Sequence, residues 1–395
     1  MAVALDGIRV LDLSRILSGP YCTMVLSDFG AEVIKVERPG AGDDTRHWGP
    51  PFVSGESAYY LSINRNKKSI TIDLGTEEGR EIIYALARVS DVVIENFRPG
   101  TADRIGVGYE RMRRENPQIV YCSISGFGQV GPYRDRPGYD ALAQAMSGMM
   151  SITGEPGGPP TKHGMSIADI GAGMWAAFAI VTGLLVRERS GEGQYIDVSL
   201  LDTQLAWLTY AAGNFFATGH DAPRYGSAHP SIVPYQPFET ADGHIMLAVG
   251  NDRLWHQFCQ AVARPELTEQ PGFATSAERV LNRETVVATV AEIMKARTTG
   301  EWMRLLEEKG IPSGPINTIK QALNDPHARA RDMVVTLEHP TAGPVTMIGV
   351  PAKLSATPGE AQSAPPLLGQ HTDEILESLG YDEQSIAALR ARNVI

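Results

Sequence analysis

The sequence predicts an α/β protein in which a large domain contains a mainly parallel sheet and a smaller domain has an α+β arrangement. Short β-branched segments alternate with helical segments across the first 200 residues, and this alternation is typical of βαβ units. Near residues 224–237 proline and glycine become frequent, and a compact pattern of strands and helices follows. A chain of 395 residues with 43 % apolar residues is long enough for two or three domains with a substantial core.

Composition excludes several classes of function. The 35 basic and 46 acidic residues leave a formal net charge of −11, which argues against a nucleic-acid surface. The three cysteines are far apart and form no CxxC pair, so neither a disulfide framework nor a zinc site is predicted. The first residues lack the pattern of a signal peptide, and the apolar stretch 170–186 is short for a bilayer span. We therefore expect a soluble, cytoplasmic protein that binds no metal.

The strands predicted for the large domain are β-branched, and turns or helical patterns follow them. Gly19 and Pro20 fit a strand-to-helix turn because proline is favoured at the first position of a helix. Ligands of parallel sheets bind beyond the carboxyl ends of the strands, so the segments after the strands form the candidate site. Strands are predicted at 8–13, 31–37, 69–74, 91–95, 118–125 and 195–199, and helices from 19 to about 30, at 76–90, after 137–144, from about 164 to 186 and at 200–218.

The smaller domain is predicted to end near Asp325 and Pro326. Proline-rich segments then lead to a closing helix at 372–379. Within the smaller domain, strands are predicted at 237–239 and 243–249, and helices at 252–263, 281–296 and 299–309.

Basic side chains gather around the second and third predicted strands. At one edge of a sheet such a set favours phosphate or carboxylate binding, whereas solvated surface charge is the alternative for each residue alone. After the strand at 91–95, Asn96, Phe97 and Arg98 open a helix that contains Arg104. An amide, an aromatic ring and two arginines at a strand end suit an adenine nucleotide. The basic set comprises Arg38, Arg46, Arg65, Lys67 and Lys68.

A glycine pattern after the strand at 118–125 matches GxGxxG, but its context excludes NAD binding. The dinucleotide fingerprint requires a helix to begin at 126–131, because the helix amino terminus holds the pyrophosphate. Residues 132–137 carry a proline at each end and cannot open that helix. About 20 residues further on, Met150 and Ser151 stand where an acidic ribose ligand is required.

The most informative stretch is the apolar, small-residue segment from Gly164 to Val186. Between His163 and Arg187 its only ionisable side chain is Asp169, so the pattern predicts a buried helix with this carboxylate at or near the first turn. One interpretation is a helix cap that accepts from free N–H groups. The other is a carboxylate in a poorly solvated pocket, where burial makes it reactive.

Several motifs in order make essentially the full chain resemble the class III CoA-transferases, the family of formyl-CoA transferase and carnitine CoA-transferase. The motifs are 10–13, 19–20, 29–40, 64–69, 95–100, 126–128, 138–140, 168–169 and 365–371. Further segments resemble the succinate–hydroxymethylglutarate CoA-transferase branch: 40–46, 48–52, 59–62, 231–236 and 314–317.

The resemblance implies a Rossmann-like large domain of residues 1–200 and 330–395, a helical linker at 201–226 and a small α+β domain at 227–329. It also implies an interlaced homodimer, with each subunit threaded through a hole in the other. Coenzyme A, as an acyl-CoA co-substrate, and a small carboxylic acid are the implied partners. Succinyl-CoA and a C5 dicarboxylate such as glutarate or 3-hydroxy-3-methylglutarate are the substrates that the branch suggests.

By motif match, Asp169 is the implied nucleophile. Its carboxylate attacks the thioester to give a mixed anhydride, the CoA thiolate returns to give an aspartyl-CoA thioester, and the acceptor acid takes over the CoA. We expect the helix amino terminus to keep Asp169 ionised and to donate N–H groups to the developing oxyanion. Substrate contacts are expected from Arg46, Arg65, Tyr139 and Asp140. Implied CoA contacts are Leu17, Ser18, Arg38, Ile72, Asp73, Leu74, Gly75, Asn96, Phe97, Arg98, Arg104 and Arg136.

Two relatives of the fold give competing interpretations. Formyl-CoA transferases carry a glutamine in place of Leu17 and a glycine-rich lid in place of residues 250–252, so these departures argue against oxalate as the acceptor. Racemases of α-methylacyl-CoA carry a His-Asp dipeptide where this chain has Tyr139 and Asp140. The missing histidine argues against racemisation. A protein that binds acyl-CoA without transferring it is the third alternative, against which Asp169 argues.

Overall fold

The computed structural model describes residues 3–395. These residues group into two compact units. One comprises residues up to 149, 163–213 and 326–395, and the other comprises 150–162 and 214–325. Residues 150–162, which we expected in the large domain, belong to the second unit, where Gly226 donates its N–H to the carbonyl of Gly154 over 3.0 Å.

The strands and helices alternate as the sequence predicts. The strands are β1 (Arg9–Asp12), β2 (Glu32–Glu37), β3 (Phe52–Val53), β4 (Glu56–Ser57), β5 (Lys67–Thr71), β6 (Val92–Glu95), β7 (Val120–Ser125), β8 (Tyr195–Ser199), β9 (Tyr235–Glu239), β10 (His244–Ala248), β11 (Ser313–Pro315), β12 (Val334–His339) and β13 (Gly343–Ile348). The helices are α1 (Ser18–Asp28), α2 (Ala58–Ile63), α3 (Glu77–Arg88), α4 (Thr101–Arg104), α5 (Tyr109–Glu115), α6 (Asp140–Met146), α7 (Met149–Ile152), α8 (Ile167–Ser190), α9 (Leu200–Ala206), α10 (Thr209–Thr218), α11 (Asp252–Ala261), α12 (Ser276–Leu281), α13 (Arg283–Met294), α14 (Thr299–Glu308), α15 (Ile319–Asn324), α16 (Pro326–Ala330), α17 (Thr372–Ser378) and α18 (Glu383–Ala391). Short 3₁₀ helices occupy Asp44–His47 and Pro265–Thr268.

The first unit is built on a six-stranded parallel sheet in the order β5-β2-β1-β6-β7-β8. Successive side chains of a strand point to opposite faces, and both faces are covered by helices. Leu11 therefore packs in one core with residues of α3, α5, α17 and α18. Its neighbour Val10 packs in the other core with residues of α1 and α8. The predicted α/β class with a parallel sheet is confirmed.

Helix α8 is the segment that the apolar, small-residue pattern predicts. Gly173 lets α1 approach closely, because a Cβ at this position would lie 2.6 Å from the carbonyl oxygen of Ser18. Ala172, Ala176 and Ile180 are fully buried in the core shared with α1 and the sheet. Among the described residues, α8 alone has the length and apolarity of a membrane span, and by length and composition only.

The second unit has its own sheet and core. Strands β11, β10 and β9 form an antiparallel sheet in that order. Helices α11, α13 and α14 contribute to its core, in which Trp255, Phe258 and Trp302 are buried. The guanidinium of the fully buried Arg279 donates to the carbonyl of Val233 over 3.0 Å and pairs with Asp252 over 2.8 Å.

Several predicted boundaries differ from those of the structure. The third strand begins at Lys67 rather than 69, and the helix expected at 200–218 is divided into α9 and α10, where Thr209 has a φ of 36°. The hairpin of β12 and β13 lies within the proline-containing region after residue 326, and the last helix α18 follows the closing helix α17; neither was predicted from the sequence.

Candidate active site

Asp169 lies in the first turn of α8, two residues after the helix begins. The residue before the helix, Ser166, makes no side-chain cap, and Asp169 is not the cap either. The capping interpretation of Asp169 is therefore wrong. A neighbouring helix supplies the acceptor instead, since Oδ1 of Asp140 accepts the N–H of Ala168 over 2.8 Å and that of Asp169 over 3.4 Å.

The amino-terminal N–H groups of α8 are all engaged. Those of Ile167 and Ile170 donate to backbone carbonyls, and those of Ala168 and Asp169 donate to Asp140. From the sequence we expect these groups to donate to a developing oxyanion. In the structure they have protein acceptors, because the side chain of Asp140 reaches the helix end from α6.

Burial raises the pKa of the Asp169 carboxyl to about 7, and the negative charge of Asp140 adds to the rise. The sequence led us to expect that the helix amino terminus keeps Asp169 ionised, and with a pKa of about 7 the carboxyl is about half ionised at pH 7. The negative charges of Asp169 and Asp140 also act on Tyr59. Burial raises the pKa of its phenol to about 12, with contributions from Asp169 and Asp140, and its ring contacts Trp48 edge to face at 5.2 Å. A carboxylate that is poorly solvated and close to a second negative charge is a candidate nucleophile.

A separate cavity of about 250 Å³ lies at the carboxyl ends of β1, β2 and β5. Exposed Arg15 and Arg38 line it, and Asp44 lies between them, 3.2 Å from Arg15 and 3.1 Å from Arg38. Six of the residues predicted to bind CoA line this cavity together: Arg38, Ile72, Asp73, Leu74, Gly75 and Phe97.

The remaining predicted CoA residues lie on neighbouring segments. Leu17 and Ser18 are buried at the start of α1, and Arg98 lines an adjacent cavity. Arg104 is exposed in α4, where it donates to Thr101 over 3.3 Å. Exposed Arg136 stacks on the ring of Tyr133, with 4.0 Å between its guanidinium carbon and the ring centre.

Asn96 holds the loop between β1 and α1. Its Oδ1 accepts the N–H of Arg15 over 2.9 Å, and its amide donates to the carbonyl of Arg15 over 2.7 Å. Ile16 has a φ of 71°, a left-handed conformation that is strained for a β-branched residue. Its N–H donates to the buried carboxylate of Asp43, which pairs with Lys35 at 2.8 Å. Asn96 was predicted to bind CoA, and in the structure its side chain forms hydrogen bonds with the backbone of this loop.

Arg46 and Arg65 occupy positions that differ from those expected of substrate ligands. The side chain of Arg46 is 8 % exposed and forms two 2.7 Å hydrogen bonds with Glu37. The side chain of Arg65 is 3 % exposed, pairs with Asp28 at 2.6 Å and donates to the carbonyl of Ile348. Protein acceptors already satisfy both guanidinium groups, so the geometry favours structural ion pairs over contacts with a substrate carboxylate.

Tyr139 and Asp140 stand next to each other but differ in environment. The side chain of Tyr139 is 65 % exposed, whereas the carboxylate of Asp140 accepts hydrogen bonds from α8 and from Gln144. Asp140 thus accepts hydrogen bonds from within the protein, which the sequence did not indicate. No group of three or more His, Cys, Asp or Glu residues within 3–395 is arranged to hold a metal ion.

Three residues of this region were not predicted from the sequence. Arg15 follows β1 directly, and its position after a strand end was the signal that could have identified it. Asp44 is recognisable only from its two ion pairs. Tyr59 belongs to a segment that carried the family resemblance, but only the fold brings it near Asp169.

Residues 5–372 match the model of CoA-transferase family III, so the chain belongs to this family and is a class III CoA-transferase. Among its relatives, a succinyl-CoA:glutarate CoA-transferase from Homo sapiens is 45 % identical over 392 residues, which cover 99 % of this chain and 90 % of that protein. A succinate–glutarate CoA-transferase from Agrobacterium fabrum is 42 % identical over 387 residues, which cover 96 % of this chain and 97 % of that protein. The crystal structure of a CAIB/BAIF family protein from Brucella suis aligns with a TM-score of 0.85 and 41 % identity, covering 96 % of this chain and 100 % of that chain.

Proposed function

We propose that the protein transfers CoA from succinyl-CoA to a C5 dicarboxylate such as glutarate, with Asp169 as the nucleophile. The names of the relatives that match nearly the whole chain support these substrates. The observation that carries the mechanism is a single poorly solvated carboxylate in the first turn of α8, with its pKa raised to about 7.

The chemistry needs a nucleophile that is ionised near neutral pH yet basic enough to attack. A carboxyl group with a pKa of about 7 is roughly half ionised at pH 7 and more nucleophilic than an ordinary carboxylate. Asp169 attacks the thioester carbonyl, which releases CoA thiolate and forms a mixed anhydride of Asp169 and succinate. The thiolate then attacks the Asp169 carbonyl, which expels succinate and leaves an aspartyl-CoA thioester.

The acceptor repeats these two steps in reverse. Its carboxylate attacks the aspartyl thioester, so that CoA thiolate leaves and a new anhydride forms with Asp169. The thiolate attacks the acceptor carbonyl of that anhydride, which gives the product acyl-CoA and regenerates the Asp169 carboxylate. Each step exchanges one acyl–sulfur or acyl–oxygen bond for another, so no redox partner is required.

For CoA we propose the cavity beside Arg15 and Arg38. Both guanidinium groups are exposed and share Asp44, so a phosphate can replace that carboxylate without burying an unpaired charge. The apolar side chains of Ile72, Leu74 and Phe97 line the same cavity and suit the adenine ring.

On the acceptor side we retain Tyr139 as a contact to the reacting carbonyl. Tyr139 is exposed and directly precedes Asp140 in the sequence. Asp140 in turn accepts a hydrogen bond from the first turn of α8. We do not carry Arg46 and Arg65 into this site, because their donors are used by Glu37 and Asp28.

We also propose the interlaced homodimer. Its CoA-binding domain comprises residues 1–200 and 330–395 apart from 150–162, which group with the small domain at 227–329, and residues 201–226 form a linker. An exposed apolar stripe along α8 supports a subunit interface, because contiguous apolar residues exposed at a protein surface mark sites of protein–protein contact. Light scattering on the eluted peak of a size-exclusion column tests the state, and a monomeric mass would refute it. The stripe comprises Met174, Trp175, Phe178, Val181 and Leu185.

The decisive experiment is trapping of the covalent intermediate. The enzyme is incubated with succinyl-CoA, treated with hydroxylamine and analysed by intact mass and peptide mapping. A hydroxamate on Asp169 is expected, and D169N, which keeps the shape of the side chain, is the control that must remain unmodified. If no adduct forms while an α-proton of a branched acyl-CoA exchanges with solvent, the chemistry is racemisation and the proposal is refuted.

A further inference from the structure

The carboxylate of Asp140 and the amide of Gln144 form a continuous hydrogen-bonded chain with the segment that carries Asp169. Nε2 of Gln144 donates to Oδ2 of Asp140 over 2.7 Å, and Oε1 of Gln144 accepts the N–H of His163 over 2.8 Å. The other oxygen of Asp140 accepts from Ala168 and Asp169. One pair of side chains thus holds the segment before α8 and the first turn of α8.

The groups at the two ends of this series of hydrogen bonds decide which atoms of Gln144 donate and which accept. An ionised carboxylate only accepts hydrogen bonds, so Gln144 must present its NH₂ group to Asp140. Its carbonyl oxygen is then left for the N–H of His163. The residues are four apart on α6, which places them on the same face of the helix. Gln144 is 1 % exposed, so a group with the wrong polarity would be buried without a partner.

We propose that Asp140 and Gln144 are positioning residues that hold the first turn of α8, and with it the carboxylate of Asp169, in the geometry needed for attack on the thioester. This inference rests on the proposed role of Asp169 as the nucleophile. It replaces the predicted contact of Asp140 with substrate by a contact with the backbone of the nucleophile itself.

The charge of Asp140 has a second consequence, because it stands beside the nucleophile. Burial and Asp140 are the two causes of the raised pKa of Asp169, and Tyr59 on α2 faces both carboxylates. Other elements packed against α8 carry ionisable groups that do not contribute to this rise. These are Tyr21, Cys22 and Asp28 on α1, Tyr121 and Cys122 on β7, Tyr195 and Asp197 on β8, and Asp202 on α9.

A double-mutant cycle tests the pair. In D140N an NH₂ group faces the NH₂ group of Gln144, and in Q144E two carboxylates face each other. In D140N/Q144E the amide of residue 140 donates to the carboxylate of residue 144, whose other oxygen accepts from His163, so every hydrogen bond has a donor and an acceptor again. We expect each single variant to lower the single-turnover rate of adduct formation at least about tenfold, and the double variant to recover most of that loss.

The pH profile separates positioning of the nucleophile from general support of the fold. In the double variant the negative charge lies one side chain further from Asp169, so the pKa of the nucleophile falls and the acid limb of kcat/KM moves to lower pH. The Kd for CoA should stay within about twofold of the wild-type value, because the CoA cavity lies elsewhere. D135N is the matched control, since the side chain of Asp135 is 87 % exposed and lies outside the chain of hydrogen bonds. It should leave rate, profile and affinity unchanged.

The inference is overturned if the double variant is no faster than the slower single variant, or if the rates follow the melting temperatures while the acid limb stays in place. If D140N does not fold, the comparison of Q144E with the double variant still measures the rescue. These results differ from a failure of the proposed function, in which the wild-type enzyme itself forms no adduct on Asp169.

Discussion

Replacing Asp169 with asparagine should stabilise the folded protein while it removes the activity. The pKa of this carboxyl is about 7 in the folded state and 3.8 in its ordinary range, so ionisation of Asp169 opposes folding above neutral pH. A difference of roughly 3 pH units corresponds to about 4 kcal/mol. Because the side chain is only partly enclosed, water relaxes around its charge, and we expect about half of that value, ~2 kcal/mol, at pH 8.

The sign of the pH dependence follows from the direction of the shift. The folded wild-type protein binds the Asp169 proton more tightly than the unfolded chain, so its stability falls as pH rises from about 4 to 7. D169N has no such proton. The stability gain of D169N should therefore be near zero at pH 4, grow through pH 5 and 6, and level off above pH 7.

Urea unfolding of both proteins without substrate, at fixed protein concentration and at pH values from about 4 to 8, measures this difference. D135N serves as the matched control, because it removes a carboxylate whose side chain is 87 % exposed. The reasoning fails if D169N is less stable than the wild type at pH 8. It also fails if the difference between the two proteins is the same at every pH.

Three further substitutions test other parts of the structure. R46A should destabilise the fold by about 3–5 kcal/mol in thermal or urea unfolding, because it leaves the buried carboxylate of Glu37 without its ion-pair partner. Selective loss of dicarboxylate use in a fully stable variant would contradict this. R38A should change stability by less than about 0.5 kcal/mol, since the side chain of Arg38 is 61 % exposed. Because Arg38 lines the CoA cavity, the same variant should raise the KM for acyl-CoA about tenfold, and an unchanged KM would exclude this arginine from the site. G173A should cost about 1–3 kcal/mol, because its Cβ would lie 2.6 Å from the carbonyl of the first residue of α1. G213A, at a helical glycine with open space around it, is its control and should leave the melting temperature equal or higher; equal melting temperatures for the two alanine variants would contradict the close packing.

The positions of strands and of the central helix were predictable because their signals are local. The β-branched segments at 91–95 and 118–125 became the buried strands β6 and β7, since a short run rich in β-branched residues is a property of the nearby sequence. Asp169 could be singled out for the same reason, as the only ionisable side chain in a long apolar run. The boundaries at 200–218 were less accurate, because the break at Thr209 is a backbone conformation that the residue types do not specify.

The fold class, the family and the candidate nucleophile thus followed from the order and types of the residues. The partners of the charged residues became known only from the folded chain. From the sequence Arg65 is a predicted substrate ligand, whereas in the structure it pairs with Asp28, which lies 37 positions away. Asp140 can act as a positioning residue because the fold brings α6 beside the start of α8. Side-chain pairing joins residues that are distant in the chain, and a buried charge takes the partner that the fold brings within hydrogen-bonding distance.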